Sequence, residues 1–133
     1  MIRNIYILLL LSLSYSATLL VPDEYSTIQS AIDAASDGDT VLVSSGTYLE
    51  NIVWAATNGI KLIGSGEDDC FIDGGGIDSL ESVIRFEEDL GGIIDTTTLI
   101  TEFTIQNGVG ENGGAIYIYN SSPNFNNLII QNN

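Results

Sequence analysis

The segment Phe103-Thr104-Ile105-Gln106-Asn107 recurs 25 positions later as Leu128-Ile129-Ile130-Gln131-Asn132. Each copy is a short apolar strand that ends in Gln-Asn, and another apolar segment, residues 113–120, lies between the copies. A repeat of about 20 to 50 residues is typical of solenoids, in which one unit buries its apolar face only by stacking on the next. The interval leaves no room for a helix, so the repeat predicts turns of stacked strands, called rungs below.

Earlier parts of the chain fit the same pattern at longer offsets. Residues 70–75 align with 103–108 at an offset of 33, and residues 83–86 align with 115–118 at an offset of 32. The acidic, glycine-containing stretch 87–95 supplies the insertion. Because successive side chains of a strand point to opposite sides, the alternation predicts an inward and an outward set. The inward set is Ile84, Phe86, Phe103, Ile105, Ile116, Ile118, Phe125, Leu128 and Ile130, and the outward set is Arg85, Thr104, Tyr117 and Tyr119.

Several short motifs add a family resemblance. They are Gly38-Asp39-Thr40-Val41-Leu42-Val43, Gly46-Thr47-Tyr48, Leu62-Ile63-Gly64-Ser65-Gly66, Ile72-Asp73-Gly74-Gly75 and Gly113-Gly114-Ala115-Ile116-Tyr117. In this order they resemble the first rungs of right-handed parallel β-helix proteins of the pectin-lyase-like superfamily, from about Leu20 to the end of the chain. The resemblance implies an all-β solenoid, but no single activity, since the superfamily includes polysaccharide lyases, hydrolases, epimerases, adhesins and surface proteins without known chemistry.

The first 16 residues have the features of a signal peptide. Arg3 gives a positive start, residues 5–13 form an apolar run too short to cross a bilayer, and Ser14 and Ser16 are small residues at positions −3 and −1 of a cleavage site. We therefore predict cleavage before Ala17 and a protein that is secreted or held at the cell surface. An uncleaved membrane anchor is the alternative.

The composition is strongly acidic, with a formal net charge of −15. Cleavage before Ala17 removes Arg3, so that two cations and eighteen acidic residues remain, a net charge of −16. Affinity for a phosphate backbone comes mainly from Lys and Arg displacing counterions. We therefore expect no nucleic-acid partner and no membrane insertion after cleavage. Acidic polysaccharides are repelled unless divalent cations bridge the charges, and a polysaccharide or cell-surface glycan without charge is the partner left open.

Residues 26–37 predict a short amino-terminal helix. Ser26 and Gln29 have the spacing of a capping box, and an apolar stripe with helical spacing follows. A helix of about ten residues is marginal in water by itself, and the end of a solenoid exposes apolar stacks and unpaired backbone groups. We predict that residues 27–35 cap the first rung. The cleaved chain, 17–133, is then one β-helix domain with its rungs at about 40–133.

Two aromatic residues and one cation are the candidates for binding or catalysis. Tyr117 and Tyr119 have the spacing of neighbours on one face of a strand and can form a stacking platform for sugar rings; the alternative is that they cover strands of neighbouring rungs. A lyase of this fold needs a base, usually Arg or Lys, beside carboxylates that bind calcium. Arg85 could be that base, but a surface ion pair with the acids from Glu87 onward is the alternative we favour.

The sequence gives weaker indications of a functional role for the other polar residues. Glu67, Asp68 and Asp69 could bind calcium through carboxylate oxygens, although an acidic run without ligand spacing is usually a solvated loop. Cys70 is the single cysteine of a chain without histidine, so we predict a small core residue rather than a reactive thiol. We predict structural roles for the asparagines near strand ends, as amide ladders and at left-handed corners: Asn107, Asn127 and Asn132.

These features favour a structural, adhesive or glycan-binding protein and predict no catalytic residue in this chain. Asn133 ends a strand repeat without a capping helix or a polar terminal segment, so we expect the chain to be the amino-terminal part of a longer protein. The alternative function is therefore the first part of a polysaccharide lyase or glycoside hydrolase with its active site beyond residue 133. An autotransporter-like passenger segment is a third possibility. No cofactor is predicted apart from calcium, and the sequence does not indicate an oligomeric state.

Overall fold

The computed structural model describes residues 15–76, 81–87 and 94–133. The predicted signal peptide therefore lies outside the described residues, apart from its last two positions. The described residues form ten strands and one short helix. In chain order they are β1 (Thr18–Val21), α1 (Ile28–Ala34), β2 (Thr40–Val43), β3 (Gly46–Leu49), β4 (Ile52–Val53), β5 (Lys61–Ile63), β6 (Cys70–Asp73), β7 (Ile84–Phe86), β8 (Leu99–Gln106), β9 (Ile116–Ile118) and β10 (Asn124–Gln131).

Every strand pair in the described chain is parallel, and the pairs build three rows. The first row is β1-β2-β5 followed by the first half of β8, and the second is β3-β6 followed by the second half of β8. Strand β10 then pairs along both halves of β8, and β4-β7-β9 form a separate three-stranded sheet. The chain thus returns to the same row after each repeat. The fold is predominantly β, with parallel strands and one short helix.

The 25-residue repeat, on which the fold prediction rests, appears directly in the register of the paired strands. Strand β8 lies against β10 with Phe103 opposite Leu128, Ile105 opposite Ile130 and Gln106 opposite Gln131. The offset of 32 likewise places Ile84 opposite Ile116. Both sequence alignments are therefore confirmed as strand pairings.

The core runs along the rows because like positions stack. Leu19, Val41, Leu62 and Ile100 follow one another in register and are all buried. In the three-stranded sheet the Phe86 ring stacks on Trp54 with a centroid distance of 4.9 Å. It also meets Phe125 edge-on at 6.1 Å. Ring packing of this kind adds about 0.5–1.5 kcal/mol to the burial of apolar area.

The alternation predicts burial correctly in the central strands, and burial differs from the prediction in three places. Ile84, Phe86, Phe103 and Ile105 are completely buried, as predicted. Ile118 and Ile130 were predicted to point inward but are 43% and 55% exposed, because β9 and β10 each have a strand on one side only within the described chain. Thr104 was predicted to be exposed but is 1% exposed. The turn between β5 and β6 covers it, and its hydroxyl donates to the Glu67 carbonyl at 2.6 Å.

The predicted helix is present, but its amino-terminal cap differs from the prediction. Thr27, not Ser26, is the N-cap, and its hydroxyl oxygen accepts from the Ser30 amide at 3.1 Å. The Glu50 carboxylate accepts from the amides of Ile28 and Gln29, each at 2.9 Å. Two of the four free amides at the helix start are therefore satisfied by a residue from a different turn of the chain.

The helix covers the first strands of the rows. Ile28, Ala31 and Ile32 are completely buried in the same core cluster as the strand residues. The side-chain amide of Gln29 accepts from the Val53 amide at 2.8 Å and donates to the Val53 carbonyl at 2.9 Å. In this way Gln29 takes the place of a neighbouring strand at the edge of β4. No helix within the described residues is long and apolar enough to cross a membrane.

Candidate functional site

The three-stranded sheet brings one side chain from each strand into a row. Val53 of β4 lies opposite Arg85 of β7, and Arg85 lies opposite Tyr117 of β9. Arg85 stands between two completely buried neighbours, Ile84 and Phe86. Since strand neighbours alternate in direction, Arg85 is on the outer face of the sheet. The row therefore places an aromatic ring, a guanidinium group and an aliphatic side chain side by side on the surface.

An open cleft of about 270 Å³ lies along this row. Its lining residues are Glu81, Ser82, Arg85, Glu87, Gly110, Glu111, Asn112 and Tyr117. A second hollow of about 230 Å³ adjoins it, lined by Asn51, Ile52 and Val53 and sharing Glu81, Ser82 and Arg85 with the first. Together the two hollows follow the sheet from β4 to β9, and we call them the Arg85–Tyr117 cleft.

The charge of Arg85 is balanced inside the cleft. Its Nη1 pairs with the Glu81 carboxylate, and its Nε lies 3.3 Å from Glu87 Oε1. The contact between Nε and Glu87 is an ion pair that lacks hydrogen-bond geometry, since Nε makes no hydrogen bond within the described residues. The predicted pairing with Glu87 is confirmed, and Glu81 is an additional partner that the sequence did not indicate. Glu88 and Asp89 lie outside the described residues.

Glu111 and Asn112 were also not predicted, because they belong to a turn rather than to a strand. The turn precedes β9 and reaches the cleft that Tyr117 lines. Repeat alignment identifies residues that share a row, whereas a turn of irregular sequence has no counterpart in the next rung. No sequence signal marked these two residues.

The structure separates the two tyrosines that were predicted to act together. Tyr117 is partly buried and lines the cleft. Tyr119 is 49% exposed and is absent from the lining of the cleft. Its backbone amide donates to the Phe86 carbonyl at 2.8 Å, which continues the pairing of β9 with β7. Tyr119 thus lies beyond the carboxyl end of β9.

The acidic turn Glu67, Asp68 and Asp69 connects β5 to β6. Asp68 and Asp69 are exposed, and the turn is held by its backbone, since the Asp69 carbonyl accepts from the Gly46 amide at 2.9 Å. Within the described residues no three side chains of His, Cys, Asp or Glu are grouped so that they could hold a metal ion. The described residues therefore provide no set of carboxylate ligands that would support the predicted calcium site.

Cys70 is completely buried in the core, next to Ile72 on the same strand face, as predicted. Its Sγ lies 3.5 Å from the Ser44 carbonyl oxygen. Burial raises the pKa of the Cys70 thiol, and the nearby Asp69 carboxylate raises it further, which outweighs the hydrogen bonds from Ser65. A thiol that resists ionisation and has no solvent access is a poor nucleophile.

The asparagines near the strand ends occupy left-handed corners. The backbone φ is +59° at Asn107, +44° at Asn127 and +55° at Asn132. Asn adopts this region more readily than most residues. Glu102 stands at +65° in the middle of β8, at the corner equivalent to Asn127 in β10, and Asn127 Nδ2 donates to the Glu102 carboxylate at 2.6 Å.

A polar ladder runs across the second row, and glutamines rather than asparagines form most of it. Asp73, Gln106 and Gln131 are in register on β6, β8 and β10. Gln131 Nε2 donates to Gln106 Oε1 at 3.0 Å, and Gln106 Nε2 donates to Asp73 Oδ2 at 2.9 Å. Asn107 Nδ2 donates to the same Asp73 oxygen at 2.7 Å. The ladder gives these polar side chains hydrogen-bond partners within the protein at the strand ends, where they would otherwise depend on water.

We expect the Asp73→Asn substitution to cost about 2 kcal/mol of unfolding free energy at pH 7, because both carboxylate oxygens accept hydrogen bonds and Asn replaces one of them by an NH2 group that cannot accept. Burial alone would raise the pKa of Asp73, but hydrogen bonds from the Gly75 amide, Gln106 and Asn107 lower it overall. A lowered pKa in the folded state adds stability above the unfolded value, about 3.9, and loses it as the pH falls through the folded value.

Urea unfolding of the parent and Asp73→Asn chains at pH 7 and near pH 2.5 measures this prediction. The two chains should differ at pH 7 and converge in acid. Asp68→Asn, which removes an exposed carboxylate from a turn, is the control and should change little. A stability difference for Asp73→Asn that stays constant between the two pH values would contradict the role of its charge.

No family model matches the chain, and no curated protein matches its sequence. The Arg85–Tyr117 cleft offers one aromatic face, hydrogen-bonding carboxylates and an amide. Its guanidinium group is already paired with two carboxylates.

Proposed function

We propose that this chain is an exported right-handed parallel β-helix of the pectin-lyase-like superfamily, with a structural or adhesive role, and that it binds a neutral glycan in the Arg85–Tyr117 cleft. Three rows of parallel strands with a short helix over their first strands support the solenoid. The motif resemblance supports the superfamily and the handedness. The apolar run and small residues of positions 5–16 support export.

The single observation that carries the binding proposal is the position of Tyr117 beside Arg85 in a cleft with polar walls. A sugar ring has an apolar face that packs on an aromatic ring, while its hydroxyls hydrogen-bond to carboxylates and amides at the edge. Glu111 and Asn112 border the cleft at the Tyr117 end and supply such groups.

The charge of the protein selects the kind of glycan. A net charge of −16 after cleavage repels uronate polymers. Arg85 does not offset this repulsion, because Glu81 and Glu87 already neutralise it. An uncharged oligosaccharide avoids the repulsion and uses the same carboxylates as hydrogen-bond acceptors.

The same pairing speaks against catalysis by this chain. A lyase base must be free to take a proton beside a neutralised uronate carboxylate, and Arg85 is held by two acids instead. Calcium-dependent release of unsaturated oligosaccharides from pectate or alginate, lost in Arg85→Ala, would overturn this proposal. It would favour the alternative that the chain is the first part of a carbohydrate-active enzyme.

We expect neutral oligosaccharides to bind weakly, with a Kd on the order of 1 mM, and Tyr117→Ala to weaken binding about 10-fold through loss of the stacking surface. Tyr119→Ala should have a smaller effect, because Tyr119 lies outside the cleft. Titration calorimetry or ligand-observed NMR across a panel of neutral glycans measures both.

Leu49→Ala is the matched control for this experiment. Leu49 is 73% exposed on β3, in a different row from Tyr117, so its removal should leave binding unchanged. Equal losses from Leu49→Ala and Tyr117→Ala, or no binding to any glycan of the panel, would contradict the proposed cleft.

A further inference from the structure

The predicted cleavage point lies against a buried carboxylate. The Ala17 backbone amide donates to Asp39 Oδ1 at 2.7 Å. The other oxygen, Oδ2, accepts from the Ser36 amide at 2.8 Å. Asp39 is only 6% exposed, although it lies in the short connection between α1 and β2. A buried carboxylate is thus placed at the first residue of the predicted mature chain.

In the part of the chain that the structure describes, Asp39 has amide donors but no positive partner. Within the described residues the Lys and Arg salt bridges all belong to Arg85. A buried carboxylate without a counter-charge is costly, and neutral amide donors offset only part of that cost. The site therefore lacks one positive charge, next to the Ala17 nitrogen.

We propose that hydrolysis of the Ser16–Ala17 peptide bond supplies this charge, because the new α-ammonium group of Ala17 pairs with the Asp39 carboxylate and fixes β1 in place. The proposal rests on the export proposed above. The leader peptidase of the export machinery would add water across the bond, leaving a carboxylate on Ser16 and an amine on Ala17. That amine takes up a proton at neutral pH, since an α-amine has a pKa of about 8.

The local structure fits such a processing site. Ser16 and Ala17 are exposed, so the bond between them is accessible. Among the contacts of the described residues, cleavage removes the hydrogen bond from the Ser16 hydroxyl to the Gly38 carbonyl at 2.7 Å. It leaves the Ala17 carbonyl in place, which accepts from the Thr40 amide at 2.9 Å. The ammonium group replaces a hydrogen bond in which only the acceptor is charged by an ion pair in which both partners are charged.

The consequence is a first strand that is held more tightly after processing than before it. Strand β1 is the outermost strand of its row and pairs only with β2 among the described strands. The ion pair would fasten its start to the connection that follows α1. Maturation would thereby complete the end of the solenoid that the helix covers.

The test compares free and acetylated amino termini. The precursor is expressed in an exporting bacterial host in a Lys61→Arg background, so that Ala17 carries the only primary amine of the mature chain. Acetic anhydride then removes its charge. We expect acetylation to lower the melting temperature by about 3–5 °C, and by less than about 1 °C when Asp39→Asn is also present. No change in the parent chain, or an equal loss in Asp39→Asn, would overturn the proposal.

Asp37→Asn is the matched control, because Asp37 is an exposed carboxylate two positions away and accepts from the Asn58 amide. Acetylation should cost as much in this variant as in the parent. If Asp39→Asn does not fold, a chain that begins at Ser16 replaces it. The free amine of that chain is displaced by one residue, so its melting temperature should equal that of the acetylated chain. A melting temperature of the Ser16 chain equal to that of the Ala17 chain would overturn the ion pair.

Mass spectrometry of the exported protein separates the two ideas. An amino terminus at Ala17 supports export and processing at this bond. An amino terminus elsewhere overturns the processing step in the natural protein, whereas a failed acetylation effect overturns the ion pair alone.

Discussion

The Gly64→Ala variant is expected to lose about 3 kcal/mol or more of unfolding free energy, because two turns of the chain touch at this glycine. A Cβ on Gly64 would lie 2.1 Å from the Glu102 carbonyl oxygen and 3.0 Å from its carbonyl carbon. Both contacts are with backbone, so relief requires one corner of the stack to move. Overpacking of a rigid site typically costs about 1–3 kcal/mol, and backbone contacts this short exceed the usual case.

Urea or thermal unfolding monitored by circular dichroism measures the effect. Gly38→Ala is the control, since a Cβ there meets nothing within 4 Å, and its φ of +85° costs only about 1 kcal/mol. Equal losses in the two variants would contradict the close approach of Gly64 to the Glu102 carbonyl.

The second large effect is expected at the helix. Ile32→Asp should destabilise the fold by about 4 kcal/mol, because it places an unpaired charge at a position that is completely buried against the first strands. Ile28→Asp should behave in the same way. The loss should appear as unfolding of the whole domain and not of the helix alone, since the helix shares its core cluster with all three rows.

Ala34→Asp separates burial from charge. Ala34 is on the same helix but exposed, so the same new carboxylate there should cost less than about 1 kcal/mol. A melting curve that Ile32→Asp leaves unchanged would remove the helix from the core and with it the interpretation of α1 as a cap.

The repeat made the register of the later strands predictable. Once residues 103–107 are aligned with 128–132, the pairing of β8 with β10 follows from the sequence alone, because like positions stack in a parallel row. The alignment of 83–86 with 115–118 likewise sets Arg85 beside Tyr117. The helix was predictable because four apolar residues at helical spacing can meet the core only in that conformation.

Other features depend on what lies above or beside a residue, which a strand pattern does not contain. Thr104 is buried because the turn between β5 and β6 passes over it, whereas Ile130 is exposed because β10 has an open side in the described chain. Glu50, which lies in a distant turn, accepts hydrogen bonds from the first amides of α1. The local pair Ser26 and Gln29 had instead predicted a capping box at this position. The cleft walls formed by Glu81 and Glu111 were missed for the same reason.

The most direct test of the account is a nuclear Overhauser spectrum of the chain from residue 17 to 133, since the stacked parallel rows support both the fold and the cleft. We predict contacts between the Ile72 and Ile105 side chains in one row, and between the Arg85 side chain and the Tyr117 ring in another. Close Hα–Hα contacts between β7 and β9, which are diagnostic of antiparallel pairing, or a Tyr117 ring without contact to Arg85, would contradict it.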